Sequence, residues 1–241
     1  MRDRVSLRRA MIFAAGRGER MRPLTDTTPK PLLVVGGKPL IEWHLEKLAA
    51  IGIERVVINT SHLAGQFPLA LGDGSRWNLA IDYIDEGPVP LETGGGMLNA
   101  LGLLGKAPFL LVNGDIWLDM DFSTLAQTPQ SLAHLVMVAN PAHVANGDFA
   151  IEADGTLVDQ GPGRLTYSGI GVYRAELFDG WPLALGDQSA RLESPPRFPL
   201  APLLRNAMRQ RRISGEFFAG RWVDVGTPQR LADLDTVLRA G

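Results

Sequence analysis

The chain contains no cysteine. That absence excludes disulfides, thiolate catalysis and cysteine-bound metals, and leaves carboxylates and histidines as ligands for any ion, which favours a hard, oxygen-bound cation. Histidine is itself scarce: His44, His62, His134 and His143 are scattered without metal-ligand spacing. An excess of charge is missing too. A formal net charge of −2 over 241 residues offers no general attraction to nucleic acid, so basic residues act locally and small anionic ligands are the better match. The arginines between Arg205 and Arg212 accordingly read as a solvated helix face. Long apolar runs are absent, and no segment reaches membrane-spanning length. The basic start Met1 to Arg9 is followed by an apolar run that stops at Gly16-Arg17, too short for a signal peptide. Repeats, low-complexity tracts and interdomain linkers are also lacking. The expectation is a soluble cytoplasmic protein with no nucleic-acid or membrane partner, folded as one domain over 1–241.

What is present is a phosphate-binding signature. Met11-Ile12-Phe13-Ala14-Ala15 reads as a buried parallel strand. Gly16-Arg17-Gly18-Glu19-Arg20-Met21-Arg22-Pro23-Leu24-Thr25 follows, closed by Pro29-Lys30-Pro31-Leu32. The two glycines let the backbone turn with its N–H groups outward, where they can hold an anion. Two arginines and a lysine then stand where a loop wraps them around a polyphosphate.

The chain continues in an α/β rhythm. Pro39 to Ile51 is predicted helical, with Leu40, Ile41, Leu45, Leu48 and Ala49 on one face and Gly52 ending it. Arg55 to Thr60 is a strand, Leu63 to Leu71 a short helix disturbed by Pro68, and Leu79 to Asp85 another strand. This succession implies right-handed βαβ units and a mainly parallel sheet. Glu86 to Gly96 forms a second loop before a helix through Met97, Leu98, Leu101 and Leu104. Its glycines, Gly94-Gly95-Gly96, either give flexibility or let the backbone lie flat against a planar base; the second is the expectation. Phe109 to Val112 is the most apolar strand candidate, hence central, and it terminates in Asn113-Gly114-Asp115. Asp115 either caps a turn or faces the ligand crevice at the strand end; because Asp119 and Asp121 are available for the turn, a metal role is expected.

Further strands are predicted at Ala133 to Ala139, Thr166 to Tyr173, Ile213 to Phe218 and Trp222 to Val225, with a hairpin around Asp154-Gly155. Pro182 to Pro202 reads as an irregular excursion, leading to a helix from about Pro199 to Arg209. Thr227 and Pro228 cap a last helix whose buried face is Leu231, Leu234, Val237 and Leu238. Of the histidines, His44 reads as packing and not catalysis.

Taken together, the loop Gly16 to Thr25 with Lys30-Pro31, the Asn113-Gly114-Asp115 strand end and Trp222-Val223-Asp224-Val225-Gly226-Thr227-Pro228 resemble the sugar-1-phosphate nucleotidyltransferases across nearly the whole chain. Within that family, Leu91 to Gly96 and Leu111 to Trp117 point to uridylyltransferases of peptidoglycan recycling. The resemblance implies a Rossmann-like, three-layer α/β/α fold with a mixed, mainly parallel sheet and small antiparallel additions. It implies UTP and a sugar 1-phosphate as partners, Mg2+ as cofactor, and a monomer or weak homo-oligomer. Carried over residue by residue, Ala14, Ala15 and Gly16 hold the nucleotide, and Arg20 and Lys30 are the catalytic contacts to its phosphates. Glu86 and Gly87 read the base, Asn113 and Asp148 face the sugar, and Asp115 and Asp224 bind the metal. The nucleotide half is about 9–115 and the sugar half about 116–241. One departure stands out: where many relatives carry Glu-Lys-Pro after the hairpin, this chain has Val158-Asp159-Gln160-Gly161-Pro162-Gly163-Arg164, which leaves Arg164 as a candidate for the missing charge.

Within the enzyme class a cytidylyl, guanylyl or thymidylyl transferase with another sugar 1-phosphate is the alternative, and two other classes compete. A dinucleotide-dependent oxidoreductase begins similarly, but the third glycine of its G-x-G-x-x-G pattern is Met21 here. A non-catalytic nucleotide-sugar sensor on the same fold has no need of Arg20, Lys30, Asp115 and Asp224 together.

Overall fold

The computed structural model describes residues 7–126, 131–186 and 194–240. The basic residues Met1 to Ser6 and the middle of the proline-rich excursion, 187–193, lie outside them. In chain order the elements are β1 (Arg9–Phe13), β2 (Val34–Val35), β3 (Lys38–Pro39), α1 (Leu40–Ala50), β4 (Arg55–Thr60), α2 (Gln66–Leu71) and β5 (Ala80–Asp85). Then come α3 (Glu92–Leu104), β6 (Phe109–Asn113), β7 (Ile116–Leu118), β8 (Ala133–Val138), β9 (Ala150–Ile151), β10 (Leu157–Val158) and β11 (Thr166–Tyr173). The last are α4 (Trp181–Leu185), α5 (Ala201–Arg209), β12 (Ile213–Phe217), β13 (Trp222–Asp224) and α6 (Pro228–Ala240).

Seven strands form one sheet in the order β12-β8-β11-β6-β1-β4-β5. β6, β1, β4 and β5 are mutually parallel, β11 runs against both β6 and β8, and β12 is parallel to β8. The single reversed strand β11 is what makes the sheet mixed. Side-chain alternation divides the core between the two faces. Ala10, Ile12, Val56, Ile58, Leu110 and Val112 pack with Ile41, Leu45 and Leu48 of α1 and Phe67 of α2. Met11, Val57 and Leu111 pack with Met97, Ala100 and Leu104 of α3 and Leu203, Leu204 and Met208 of α5. Near-continuous apolar strands follow from this, because both faces are covered. The three-layer expectation holds, and β6 lies in the middle as its composition required. Two-stranded pieces, β2-β3, β7-β13 and β9-β10, supply the antiparallel additions.

α1 begins after Pro39 and ends at Gly52, whose φ of +82° suits the left-handed stop. α6 begins as predicted: Thr227 Oγ1 accepts the Arg230 amide at 3.3 Å. Its buried face is narrower than expected. Leu234 alone is fully buried, while Val237 is 44% exposed, because the helix covers only a small third cluster with Leu40, Trp117 and Val225. The excursion also holds more order than foreseen, since Trp181 to Leu185 is helical and the Trp181 ring stacks on Phe198 at 4.7 Å. Among the described residues no helix is long and apolar enough to cross a membrane.

Candidate active site

β1, β4, β5 and β6 all end on one edge of the sheet, and the loops that leave them enclose a cleft of about 620 Å³. Carboxyl ends of parallel strands are where α/β sheets bind ligands, because the loops diverge there to leave a crevice. The loop after β1 turns at Gly18, with φ +62°, and Thr25 Oγ1 closes it by donating to Gly18 O at 2.9 Å. Met21, 1% exposed, pins the loop to the protein. Among the described residues the amides of Ala15 and Gly16 donate to no protein acceptor, and a Cβ on Gly16 would meet nothing within 4 Å. Those amides are therefore free to take an anion.

The Ala14 amide is not. It donates to Asn59 Oδ1 at 3.0 Å, Asn59 Nδ2 donates to Glu86 Oε1 at 2.8 Å, and Glu86 Oε2 accepts the Leu91 amide at 2.7 Å. This chain ties together the ends of β1, β4 and β5 and the approach to α3. Burial pushes the Glu86 carboxyl above its ordinary value, against the two hydrogen bonds that favour its charged form. Across the cleft mouth Arg17 Nη2 donates to Pro88 O at 2.7 Å. Arg20 is exposed and, among the described residues, has no ion-pair partner.

Lys30 sits in a tight turn with Pro31 and Leu32 and is only 7% exposed. Its ammonium meets Asp115 Oδ2 at 2.7 Å, the pairing a buried charge demands. Gly114 lets β6 turn against β1, since a Cβ there would lie 2.6 Å from Phe13 O. Asp115 O accepts the Val225 amide at 3.0 Å, and Asp224 pairs with Ile116 in the β7-β13 ladder. The main chains carrying Asp115 and Asp224 are thus neighbours. Asp224 Oδ2 accepts from Arg230 Nη1 at 2.7 Å, with His143 Nε2 at 3.6 Å. Beneath them His44, 1% exposed, donates from Nε2 to Ile116 O at 2.8 Å. Burial lowers its pKa to about 4, so it is neutral.

Of the residues singled out from sequence, Ala14, Ala15, Gly16, Arg20, Lys30, Glu86, Asn113 and Asp115 line this cleft; Gly87, Asp148 and Asp224 do not, although Gly226 does. Gly87 occupies a turn with φ +79°, its amide on Asp85 Oδ1 and its carbonyl on Ser61 Oγ. Asp148 is exposed, and its Oδ2 accepts the Tyr167 amide at 2.8 Å. Asn113 packs against a bulge in β11, where Gly169 is obligatory because a Cβ would lie 2.6 Å from Asn113 Nδ2. Arg164 is engaged by the protein, its Nε and Nη2 both donating to Gly147 O, the former at 2.8 Å.

The glycine run is corrected. Gly94, Gly95 and Gly96 are buried inside α3 and do not line the cleft. A Cβ on Gly94 would lie 2.5 Å from the Phe198 ring, on Gly95 2.3 Å from Pro196 O, and on Gly96 2.7 Å from Glu86 Oε1. Close packing of protein on protein, and not of backbone on a base, requires them. Sequence reasoning missed Asn59, His143 and Arg230. Only Asn59 carries a signal, a polar residue at the carboxyl end of an apolar strand.

Among the described residues no cluster of three or more histidines and carboxylates forms a metal cage. Asp115 and Asp224 on adjoining strand ends offer two hard oxygen donors. That number suits a cation which keeps waters and takes its other ligands from a substrate.

A model of the nucleotidyl transferase family matches residues 9–151. N-acetylmuramate alpha-1-phosphate uridylyltransferase of Neisseria meningitidis serogroup B is 49% identical over 239 residues, covering 96% of this chain and 99% of the relative. The enzyme of the same name from Caulobacter vibrioides is 33% identical over 235 residues, covering 91% and 92%. Among solved structures, the inositol-1-phosphate CTP transferase from T. maritima superposes with a TM-score of 0.76 over 98% of both chains at 16% identity, a likeness of fold.

Proposed function

Because the chain belongs to the nucleotidyl transferase family, we propose that it transfers a uridylyl group from UTP to N-acetylmuramate 1-phosphate, giving UDP-N-acetylmuramate and pyrophosphate. The place proposed for it is peptidoglycan recycling in the cytoplasm. The observation that carries the reaction class is the Lys30–Asp115 pair, joining the turn that closes the β1 loop to the end of β6 beside amides that have no acceptor among the described residues. The choice of nucleotide and sugar rests on the end-to-end likeness to the meningococcal relative.

In this reaction an oxygen of the acceptor phosphate attacks the α-phosphorus of UTP. One P–O bond forms, the bond to the bridging oxygen breaks, and pyrophosphate leaves with the electron pair. A phosphate monoester has its second pKa near ~6, so the nucleophile is already ionised at neutral pH and no general base is required. Positioning and charge neutralisation remain as the work of the protein. The Ala15 and Gly16 amides cradle the triphosphate, and Arg20 and Lys30 face the departing pyrophosphate. Glu86 holds the base-side loop through the Leu91 amide while Gly87 provides its turn. Asn113, at the end of β6, and Asp148, in the half that follows residue 115, border the sugar. Asp115 and Asp224 would hold Mg2+, which neutralises phosphate charge when bound.

The test is pyrophosphate release from the pure protein with magnesium, the four NTPs and dTTP, each with a panel of sugar 1-phosphates. The expected signal is strongest for UTP with N-acetylmuramate 1-phosphate. A signal with glucose 1-phosphate and none with N-acetylmuramate 1-phosphate overturns the acceptor, and silence with every pair overturns the reaction in favour of a sensor.

A further inference from the structure

Both substrates of the proposed transfer are anions, and the acceptor phosphate must come to rest beside two carboxylates, Asp115 and Asp224. Beyond the Mg2+ those carboxylates would hold, a protein cation on the acceptor side would offset the charge of the acceptor phosphate itself. Arg164 spends its Nε and Nη2 on Gly147 O. Arg221 is directed to Asp119 and the Trp117 ring. Arg230 is different. From the first turn of α6 its Nε reaches Thr227 Oγ1 at 3.4 Å, while Nη1 donates to Asp224 Oδ2 at 2.7 Å and to His143 Nε2 at 3.2 Å. Its Nη2 has no acceptor among the described residues. That nitrogen lies 2.8 Å from where a Cβ of Gly226 would stand, and Gly226 is part of the cleft wall. Arg230 itself stands behind that wall, and with no side chain at Gly226 nothing from that residue lies between the guanidinium and the cleft; the side chain is 24% exposed and held from three directions. A half-satisfied, pre-oriented guanidinium beside a cleft is a receptor for a phosphate, which accepts its planar fork.

We propose that Arg230, oriented by Asp224 and His143, binds the 1-phosphate of the acceptor through its free Nη2. The proposal rests on the transferase reading. His143 comes from the loop that also carries Asp148, so the cluster joins α6 to the sugar side of the cleft. Gly226 is part of the same device, because any side chain there would displace the guanidinium.

The experiment is steady-state pyrophosphate release, varying UTP, N-acetylmuramate 1-phosphate and magnesium in turn, for wild type, Arg230→Gln, Arg230→Lys and His143→Gln. Losing a charge-assisted hydrogen bond predicts a rise in acceptor KM of about 10- to 100-fold for Arg230→Gln, with the KM for UTP moving less than about twofold. Arg230→Lys keeps the charge without the fork and falls between; His143→Gln gives the smallest rise. N-acetylglucosamine 1-phosphate, which has the phosphate but no lactyl carboxylate, is added as a competitor. Its inhibition constant rises in parallel with the acceptor KM. An unchanged acceptor KM, an equal rise for UTP, or a shift confined to the magnesium midpoint overturns the proposal, the last showing that Arg230 only braces Asp224. An effect seen with N-acetylmuramate 1-phosphate and not with the competitor overturns it as well, assigning Arg230 to the carboxylate. Thermal melts of Arg230→Lys and Arg230→Gln keep a folding defect distinct. Absence of pyrophosphate from wild type with every acceptor removes the transferase premise itself, a result distinguishable from all of these.

Discussion

The two sides of the cleft are built differently. On the side of β1, β4 and β5 the side chains hold the backbone: Asn59 and Glu86 secure Ala14 and Leu91 at the ends of strands that are in register. What is left unspent there, among the described residues, is main-chain N–H and Arg20. On the other side the strands are short or reversed, a bulge interrupts β11, and charges are taken up locally. Asp148 is held by the Tyr167 amide, Arg164 by Gly147 O, and Asp224 by Arg230. A rigid parallel sheet presents amides that need no rearrangement to meet an anion. The opposite wall presents charged groups that already have partners within the protein.

The largest effect is expected where the two sides meet. Asp115→Asn is expected to lower turnover by roughly 100- to 1,000-fold, the scale of losing one preorganised charge partner, and Asp224→Asn by a comparable factor. Wild-type turnover in both folded variants at saturating magnesium ends the assignment. Next is His44, which underlies both sides through Ile116. The unfolded chain takes a proton near pH 6.5, whereas the folded protein resists until about 4. Stability is therefore fully present above pH 6.5 and falls as pH drops towards 4, by about 3 kcal/mol. Urea midpoints across that range read the slope, and His44→Leu flattens it. A smaller change separates the sides. Asn59→Leu leaves the Ala14 amide and one Glu86 oxygen without partners, costing about 2 kcal/mol of stability. Its KM for UTP rises while that for the acceptor does not; a rise in both merges the two walls into one unit. Arg164→Met is expected to cost about 1 kcal/mol, with the acceptor KM alone rising a few-fold. Failure to move it shows that the Gly147 loop keeps its shape unaided.

Sequence periodicity carried most of the fold. β4 and β11 have the boundaries their apolar runs predict, and the Thr227–Pro228 cap and Gly52 stop delimit helices as their chemistry dictates. What failed is instructive. Val237 sits at a helical spacing that implies burial, but burial depends on what lies opposite, and opposite α6 there is little protein. The three glycines of α3 announce a close approach without saying to what; Phe198 and Pro196, a hundred residues away, decide it. In the site, Lys30 and Asp115 were legible because their motifs are local. The Arg230–Asp224–His143 cluster joins residues as far as 87 positions apart, and no spacing signals it.

The ion pair between Lys30 and Asp115 has a thermodynamic consequence for the roles proposed above. With nothing bound, the cleft supplies its own counterion at that point. A divalent cation arriving alone must displace an ammonium, and a triphosphate arriving alone must draw the same ammonium from its carboxylate. Arriving together they would divide the pair between them, the cation held by Asp115 and the phosphate by Lys30. On those proposed roles, binding of either ligand would favour the other by one shared coupling free energy, equal in both directions.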